Sequence, residues 1–224
     1  MKAYHQYCPI ARASEILAQR WTPLVVRELL KGPIAYSRIA DGLPGISRTL
    51  LTSRLRELQR LELAELVPGS SGLGQAYQLT PPGEDLAEVL QAIGAWGERW
   101  LEIAPEHADP GYLLNAWCKS YLAIDRLPAT RVVARFEFSD QPGKPHPLWF
   151  VFDGESSEVC SKHPGFEEDL IVEAESVALA EWHLGRIEWA TALDEERIRI
   201  TGVPKLARAL PTWNRRSIWA TARR

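Results

Sequence analysis

The stretch SRTLLTSRLRELQRL, residues 47–61, decides the fold of the first half of this chain. Its leucines recur at three- and four-residue spacing, which places one apolar stripe along a helix. They are Leu50, Leu51, Leu55, Leu58 and Leu61. Ser47 is a good N-cap, and the opposite face of the helix is short-chained, polar and basic. The stretch therefore predicts a helix with one buried face and one basic, exposed face.

Shorter helices precede this segment. Apolar residues near a 3.6-residue period predict helix from Ser14 to Leu30, with a break or a new first turn at Pro23. Tyr36–Asp41 predicts a short helix, and residues 43–45, Leu-Pro-Gly, form a turn in front of Ser47. The order is helix, turn, helix.

A hairpin and a longer helix follow. Leu63–Val67 and Gln75–Thr80 predict two strands around a Gly- and Ser-rich turn at 68–72. A helix then opens at residues 80–82, Thr-Pro-Pro, because proline is tolerated in a first turn. Its apolar residues recur at helical spacing and need a partner surface: Leu86, Val89, Leu90, Ile93, Trp96 and Trp100.

Charge is distributed unevenly along the chain, although the whole sequence carries only -3. Residues 20–60 hold eight basic and three acidic residues, a net charge of +5. Residues 106–224 hold 15 basic and 18 acidic residues. The first segment can face phosphate, whereas the second is repelled by a polyanion.

Bulk composition predicts a soluble, two-domain protein. Hydrophobic residues make up 46% of the 224 and charged residues 25%. The longest apolar runs fall far short of the roughly 20 residues that cross a bilayer, and the N-terminus lacks a signal-peptide core. Cys8, Cys118 and Cys160 are widely scattered, which is typical of reduced thiols. We therefore expect a cytoplasmic protein with no membrane partner.

After a proline-containing linker at residues 104–110, the sequence pattern changes to one that predicts several strands as well as helices. The fold class expected is α+β. Residues 1–104 are predicted to form one domain and residues 105–224 the other. Strands are predicted at 131–138, 147–152, 159–162, 169–174 and 197–201, with Asp153-Gly154 as a hairpin turn, and helices at 110–124, 176–184, 189–195 and 204–210.

Helix, turn, helix and a hairpin wing form a DNA-docking arrangement in which the second helix enters the major groove. Small helical bundles share this pattern of elements, so the individual residues are needed to distinguish a DNA-binding domain from a bundle. Several segments closely resemble the HxlR family of winged-helix regulators: residues 7–10 (YCPI), 20–22 (RWT), 27–33 (RELLKGP), 43–47 (LPGIS), 54–58 (RLREL), 77–80 (YQLT) and 95–97 (AWG).

This resemblance implies a homodimer formed through the Leu86–Trp100 helix, bound to a roughly palindromic operator in duplex DNA. It assigns the recognition helix to Ser47–Leu61. The residues expected to approach bases or phosphates are Tyr36, Arg38, Ser47, Arg48, Thr49, Thr52, Ser53 and Arg56. For each, the alternative is a merely solvated helix face, and Arg54 and Arg60 are weaker candidates.

The chain departs from the family pattern at two places. The wing residues 66–78 contain no basic residue, so we expect the wing to bind DNA weakly. Glu62 stands where the family usually has glycine after the recognition helix. We expect that helix to end differently or to run longer.

The second half resembles, more loosely, the sterol-carrier-protein-like fold over residues 129–213. It does so through FEF at 136–138, DG at 153–154, PGF at 164–166 and IRITG at 198–202. The resemblance implies an apolar pocket under a helix-covered sheet, with four aromatic candidates for an apolar small ligand: Trp149, Phe166, Trp182 and Trp189. The alternative is that these aromatics are core residues.

Cys8 is a candidate redox thiol, since some HxlR-type regulators respond to oxidants through a cysteine in this Cys-Pro position. No metal site is expected, because the pairs His5/Cys8 and Cys160/His163 each lack the further ligands that zinc requires. The sequence also lacks a phosphate-binding glycine loop and the common nucleophile motifs. We expect no cofactor and no catalytic residue.

The resulting hypothesis is a ligand-responsive transcription regulator, expected to be a repressor. The alternatives are a thiol-based redox regulator acting through Cys8 and a lipid-type carrier or enzyme whose first half serves assembly.

Overall fold

The computed structural model describes residues 3–69, 74–141, 143, 146–154 and 156–221. The chain divides into two compact units, Met1–Gly94 and Ala95–Arg224. This division falls inside a helix, whereas the boundary expected after residue 104 follows that helix, and the domain assignment stays a prediction. Among the described residues, no helix is long and apolar enough to span a bilayer.

The first half of the chain consists of short helices and one hairpin. Its elements are α1 (Pro9–Leu17), α2 (Thr22–Leu29), α3 (Tyr36–Asp41), α4 (Arg48–Arg60), β1 (Ala64–Pro68), β2 (Gln75–Leu79), α5 (Pro81–Glu84) and α6 (Leu86–Trp100), which continues into the second unit. Strands β1 and β2 are antiparallel, with Ala64 opposite Leu79. The turn residues 70–73 of the predicted wing lie outside the described residues.

Helix α1 differs from the sequence prediction. It begins at Pro9, five residues before the predicted start at Ser14, because Pro9 occupies the first helical position, which suits its fixed φ. The predicted break is present, since α1 ends at Leu17 and Trp21 has a left-handed φ of 78° immediately before α2. Pro23 lies in the first turn of α2.

The core of the first unit is built from the apolar faces of α2, α3, α4 and the hairpin. Fully buried members include Val25, Leu29 and Ile39, and α4 contributes Leu51, Leu55 and Leu58. The leucine periodicity therefore orients α4, because burying one side of the helix leaves the other side at the surface.

The end of α4 has the geometry that glycine usually provides. Glu62 has a φ of 57°. Its amide donates to Gln59 O at 3.0 Å, and the Leu63 amide donates to Leu58 O at 2.8 Å, which together form a Schellman motif. The expectation that the helix would end differently without glycine was wrong, because Glu62 adopts the left-handed conformation itself.

The second unit contains a five-stranded sheet with the strand order β5-β4-β3-β6-β7. Its elements after α6 are α7 (Pro110–Ala116), β3 (Val132–Phe138), β4 (Leu148–Asp153), β5 (Ser156–Cys160), β6 (Leu170–Ala174), α8 (Ser176–His183), α9 (Trp189–Asp194), β7 (Ile198–Gly202) and α10 (Pro204–Ala209). All pairs are antiparallel except β3 with β6, which is parallel.

One face of this sheet packs under the helices. Alternate residues of β3, namely Val132, Ala134, Phe136 and Phe138, join the main core together with Trp213 and the buried side of α8. The opposite face carries a smaller buried cluster. The class is α+β, as the sequence predicts.

Two predicted elements of this unit need correction. The helix expected over residues 110–124 is α-helical only to Ala116, widens to a π-helical turn at Trp117–Tyr121, and then pairs Leu122 with Asn214. Strand β5 begins at Ser156 rather than at 159, because the tight turn at Gly154 (φ 66°) already pairs Asp153 with Ser156.

Candidate nucleic-acid interface

Helix α4 begins at a capped end. Gly45, with a φ of 89°, turns the chain in front of Ser47. The Ser47 hydroxyl accepts a hydrogen bond from the Leu50 amide at 3.2 Å and so satisfies one free N–H of the first turn. The cap fixes where the helix starts and leaves Ser47 exposed at its tip.

The exposed side of α4 is the surface that the sequence predicted. We call Arg48, Thr49, Thr52, Ser53 and Arg56 the basic face. All except the half-buried Thr52 are exposed, and together with Glu57 and Arg60 they line a shallow, open concavity. Neither the Arg48 nor the Arg56 guanidinium forms a hydrogen bond or an ion pair with any residue that the structure describes. Both guanidinium groups are available to an external anion.

The other two arginines of α4 have partners within the protein. The Arg54 side chain donates through Nε to Arg20 O at 3.1 Å, which ties α4 to the turn before α2. Arg60 pairs with Glu57 at 2.6 Å. This hydrogen bond lowers the pKa of the Glu57 carboxyl and raises the pKa of the Arg60 guanidinium. The weaker expectation for Arg54 and Arg60 has a structural reason, because both are already engaged.

Tyr36, at the start of α3, contacts α4 directly. Its hydroxyl donates to Arg48 O at 2.9 Å and lies 3.3 Å from Thr52 Oγ1. Sequence reasoning placed Tyr36 near the DNA backbone and missed this contact, since no local pattern links residues 12 and 16 positions apart. Arg38 is exposed, and its guanidinium lies 3.9 Å from the Asp41 carboxylate, which is also exposed. The charge of Arg38 therefore remains accessible to solvent.

Helix α6 presents a second exposed surface, formed by Val89, Ile93, Trp96 and Trp100, which we call the tryptophan stripe. These side chains are 40%, 50%, 58% and 63% exposed. The three- and four-residue spacing aligns them along one side of the helix. A stripe of this size on one chain is typical of a contact with another protein surface.

The four predicted ligand residues are not brought together. Trp182 is buried in the main core, with the Trp189 ring 4.8 Å away. Trp149 belongs to the small cluster on the opposite sheet face and donates to Glu168 Oε1 at 2.7 Å. Phe166 is 41% exposed beneath the Arg131 guanidinium. Trp182 and Trp189 are therefore the pair in contact.

Cys8 is half-buried at the N-cap of α1 and forms no disulfide. Its reactivity stays a prediction. Within the described ranges, no group of three or more His, Cys, Asp or Glu side chains is arranged to hold a metal ion.

The family comparison concerns the first half of the chain. Residues 16–105 match the family model described as HxlR-like helix-turn-helix. An uncharacterized HTH-type transcriptional regulator of Mycobacterium tuberculosis (strain CDC 1551 / Oshkosh) is 36% identical over 114 residues, which covers 45% of this chain and 72% of the relative. The uncharacterized HTH-type transcriptional regulator YvaP of Bacillus subtilis (strain 168) is 33% identical over 100 residues, which covers 43% and 92%.

Among solved structures, the reduced form of the transcriptional regulator YodB from B. subtilis is 30% identical to this chain. Its TM-score is 0.38, and the match covers 43% of this chain and 97% of YodB. The family model ends at residue 105, so residues 106–224 lie beyond it.

Proposed function

Because this chain belongs to the HxlR-like helix-turn-helix family of DNA-binding transcriptional regulators, we propose that it binds its operator as a homodimer through the basic face of α4. Each α4 enters a major groove by its N-terminal end, where base edges are read. The two grooves lie about one helical turn apart on a roughly palindromic site.

The observation that carries this proposal is the pair of unengaged arginines, Arg48 and Arg56, on the exposed side of a capped helix. Guanidinium groups bind phosphate oxygens and the O6 and N7 atoms of guanine. Arg54 and Arg60, which have protein partners, contribute less to DNA binding.

The tryptophan stripe of α6 is proposed as the dimer contact. Its occupant is a second copy of the chain, since operator binding by two recognition helices requires two copies and a contact about a twofold axis uses the same patch on both. Ile93 and Trp96 occupy the middle of the stripe and Val89 and Trp100 its ends.

Substitution of Arg48 and Arg56 tests the DNA-binding proposal. The Arg48→Ala/Arg56→Ala variant and wild type are titrated with DNA selected from genomic fragments over a salt series, by fluorescence anisotropy. The variant loses two arginines in each copy, four in the dimer, which should lower affinity by at least tenfold and, where all four contact phosphates, reduce the magnitude of the salt slope by about 4. Arg208→Ala, which removes one exposed cation of α10, is the control. Equal binding by wild type and the double variant would contradict the proposal.

The regulatory part of the proposal concerns residues 105–224. They form a sterol-carrier-protein-like domain in which an apolar small molecule changes the affinity for DNA, and DNA binding represses transcription. The helix-covered sheet and the contact between Trp182 of α8 and Trp189 of α9 at its core support this assignment. A ligand regulates only if it binds the two DNA-affinity states differently.

The ligand proposal is tested with a long-chain fatty acid as the probe. Binding should quench tryptophan fluorescence and shift the midpoint of the DNA titration. Binding that leaves DNA affinity unchanged would contradict the regulatory role while leaving the DNA-binding role intact.

A further inference from the structure

The hydrogen bonds between Tyr36 and α4 have a fixed direction. The Tyr36 hydroxyl has one proton to donate. Its partner at 2.9 Å is the carbonyl oxygen of Arg48, which can only accept a hydrogen bond. Tyr36 therefore donates to Arg48 O and has only lone pairs left for Thr52. In the 3.3 Å contact between the two hydroxyls, Thr52 Oγ1 must then be the donor.

This direction determines what Thr52 can offer to DNA. Its one hydroxyl proton points back to Tyr36, so the outward side of Oγ1 carries lone pairs. Thr52 lines the open concavity beside Arg48, Thr49 and Arg56, on the surface where the proposed function places the major groove. Thr52 is thus an acceptor on that surface and not a donor.

Base edges in the major groove differ in this respect. Cytosine N4 and adenine N6 are amino donors, whereas guanine O6 and N7 and thymine O4 are acceptors. We propose that Thr52 is a specificity-determining residue that recognises an amino group, of cytosine or adenine, and that Tyr36 is the positioning residue that imposes this choice. The inference rests on the proposed function of α4.

Two neighbours on the same face provide the contrast. The Thr49 and Ser53 hydroxyls form no hydrogen bond with any residue that the structure describes, so each is free to rotate as donor or acceptor. They tolerate either class of base edge. Of these three hydroxyls, only Thr52 is expected to prefer donor base edges over acceptor base edges.

The experiment is selection from a randomised duplex library with wild type, Tyr36→Phe, Thr52→Val and Thr52→Ser. The base position read by residue 52 is the one whose preference disappears in Thr52→Val, which keeps the shape and loses the oxygen. Wild type should favour cytosine or adenine there by roughly tenfold, the value of one hydrogen bond. Thr52→Ser keeps the oxygen and should keep that preference.

The decisive variant is Tyr36→Phe, which frees the Thr52 proton. At the position read by residue 52, guanine and thymine should become accepted, and the tenfold preference should fall to about twofold. The rest of the selected motif serves as the control for folding, since a misfolded protein enriches no motif. Overall affinity is not the readout, because Tyr36 also supports α4.

The outcomes separate this inference from the proposed function. If wild type enriches no motif, or if the motif is equally enriched by Arg48→Ala/Arg56→Ala, the proposed function fails. If a motif is enriched but Thr52→Val changes no position, or Tyr36→Phe leaves the preference intact, the inference about Thr52 is overturned. A wild-type preference for guanine or thymine at that position would also overturn it.

Discussion

Glu62 shows how one residue can hold a backbone conformation that its type disfavours. The left-handed φ of 57° ends α4 with satisfied backbone groups, yet a side chain with a Cβ pays a steric cost there that glycine does not. Glu62→Gly should raise the free energy of unfolding by about 1 kcal/mol, measured by urea denaturation. Glu62→Ala keeps the Cβ and is the control, expected to unfold like wild type. No gain with glycine would mean that the Glu62 side chain compensates for the strain.

His183 is a half-buried base whose ionisation opposes folding. Burial, reinforced by the positive charge of Arg216, lowers the pKa of its imidazole from 6.5 to about 4. The Asn214 side-chain amide lies 3.2 Å from Nδ1, and the Tyr121 ring packs 4.4 Å away. The imidazole is therefore held neutral in the folded protein.

The pH dependence of stability follows from this shift. Above pH 6.5 His183 is neutral in both the folded and the unfolded chain, so it costs nothing. As the pH falls from 6.5 towards 4, His183 is protonated in the unfolded chain but stays largely neutral in the folded chain. The free energy of unfolding therefore decreases by about 3 kcal/mol. His183→Gln should show a shallower loss over this range in urea unfolding. Parallel pH profiles of wild type and variant would refute this role of His183.

At the scale of elements, substitutions of the N-cap Ser47 can distinguish the stability of α4 from its affinity for DNA. Ser47→Ala removes the acceptor for the Leu50 amide and should destabilise the protein by about 1 kcal/mol. Ser47→Asp keeps an N-cap oxygen and favours the positive end of the helix, so stability should be retained. Its negative charge faces DNA, so affinity should fall severalfold in anisotropy titrations at low salt. Undiminished affinity of Ser47→Asp would place the α4 tip away from the phosphates.

The bounds of a helix could be predicted where local signals in the sequence, such as apolar spacing and a capping residue, determine them. The predicted helix at Tyr36–Asp41 has the observed bounds, and α4 agrees to within one residue at each end, because leucine spacing and a serine cap act locally. The start of α1 was missed because Pro9 at the first helical position marks it rather than apolar spacing, and the π-helical turn after α7 was missed because it depends on tertiary packing. Periodicity carries no information about such partners.

The candidate interface was predictable in composition but not in its internal connections. Amphipathicity places Arg48 and Arg56 at the surface from sequence alone. It does not reveal that Arg54 donates to Arg20 O, or that Tyr36 directs Thr52, since these contacts join residues 34 and 16 positions apart. The same limit hid Arg186, whose buried guanidinium lies 2.6 Å from Glu98 at the end of α6.

At the scale of the whole molecule, the proposed function requires two copies of the chain, and the tryptophan stripe is the surface to test. Ile93→Glu/Trp96→Glu places two charges in the middle of that stripe and should convert a dimer to a monomer in analytical ultracentrifugation. Because operator affinity depends on two linked recognition helices, it should then fall by at least a hundredfold. Gln91→Glu adds charge on the other side of α6 and should leave the dimer intact. A double variant that remains dimeric would move the dimer contact away from the stripe, whereas a monomeric wild type that binds operator with full affinity would remove the need for it.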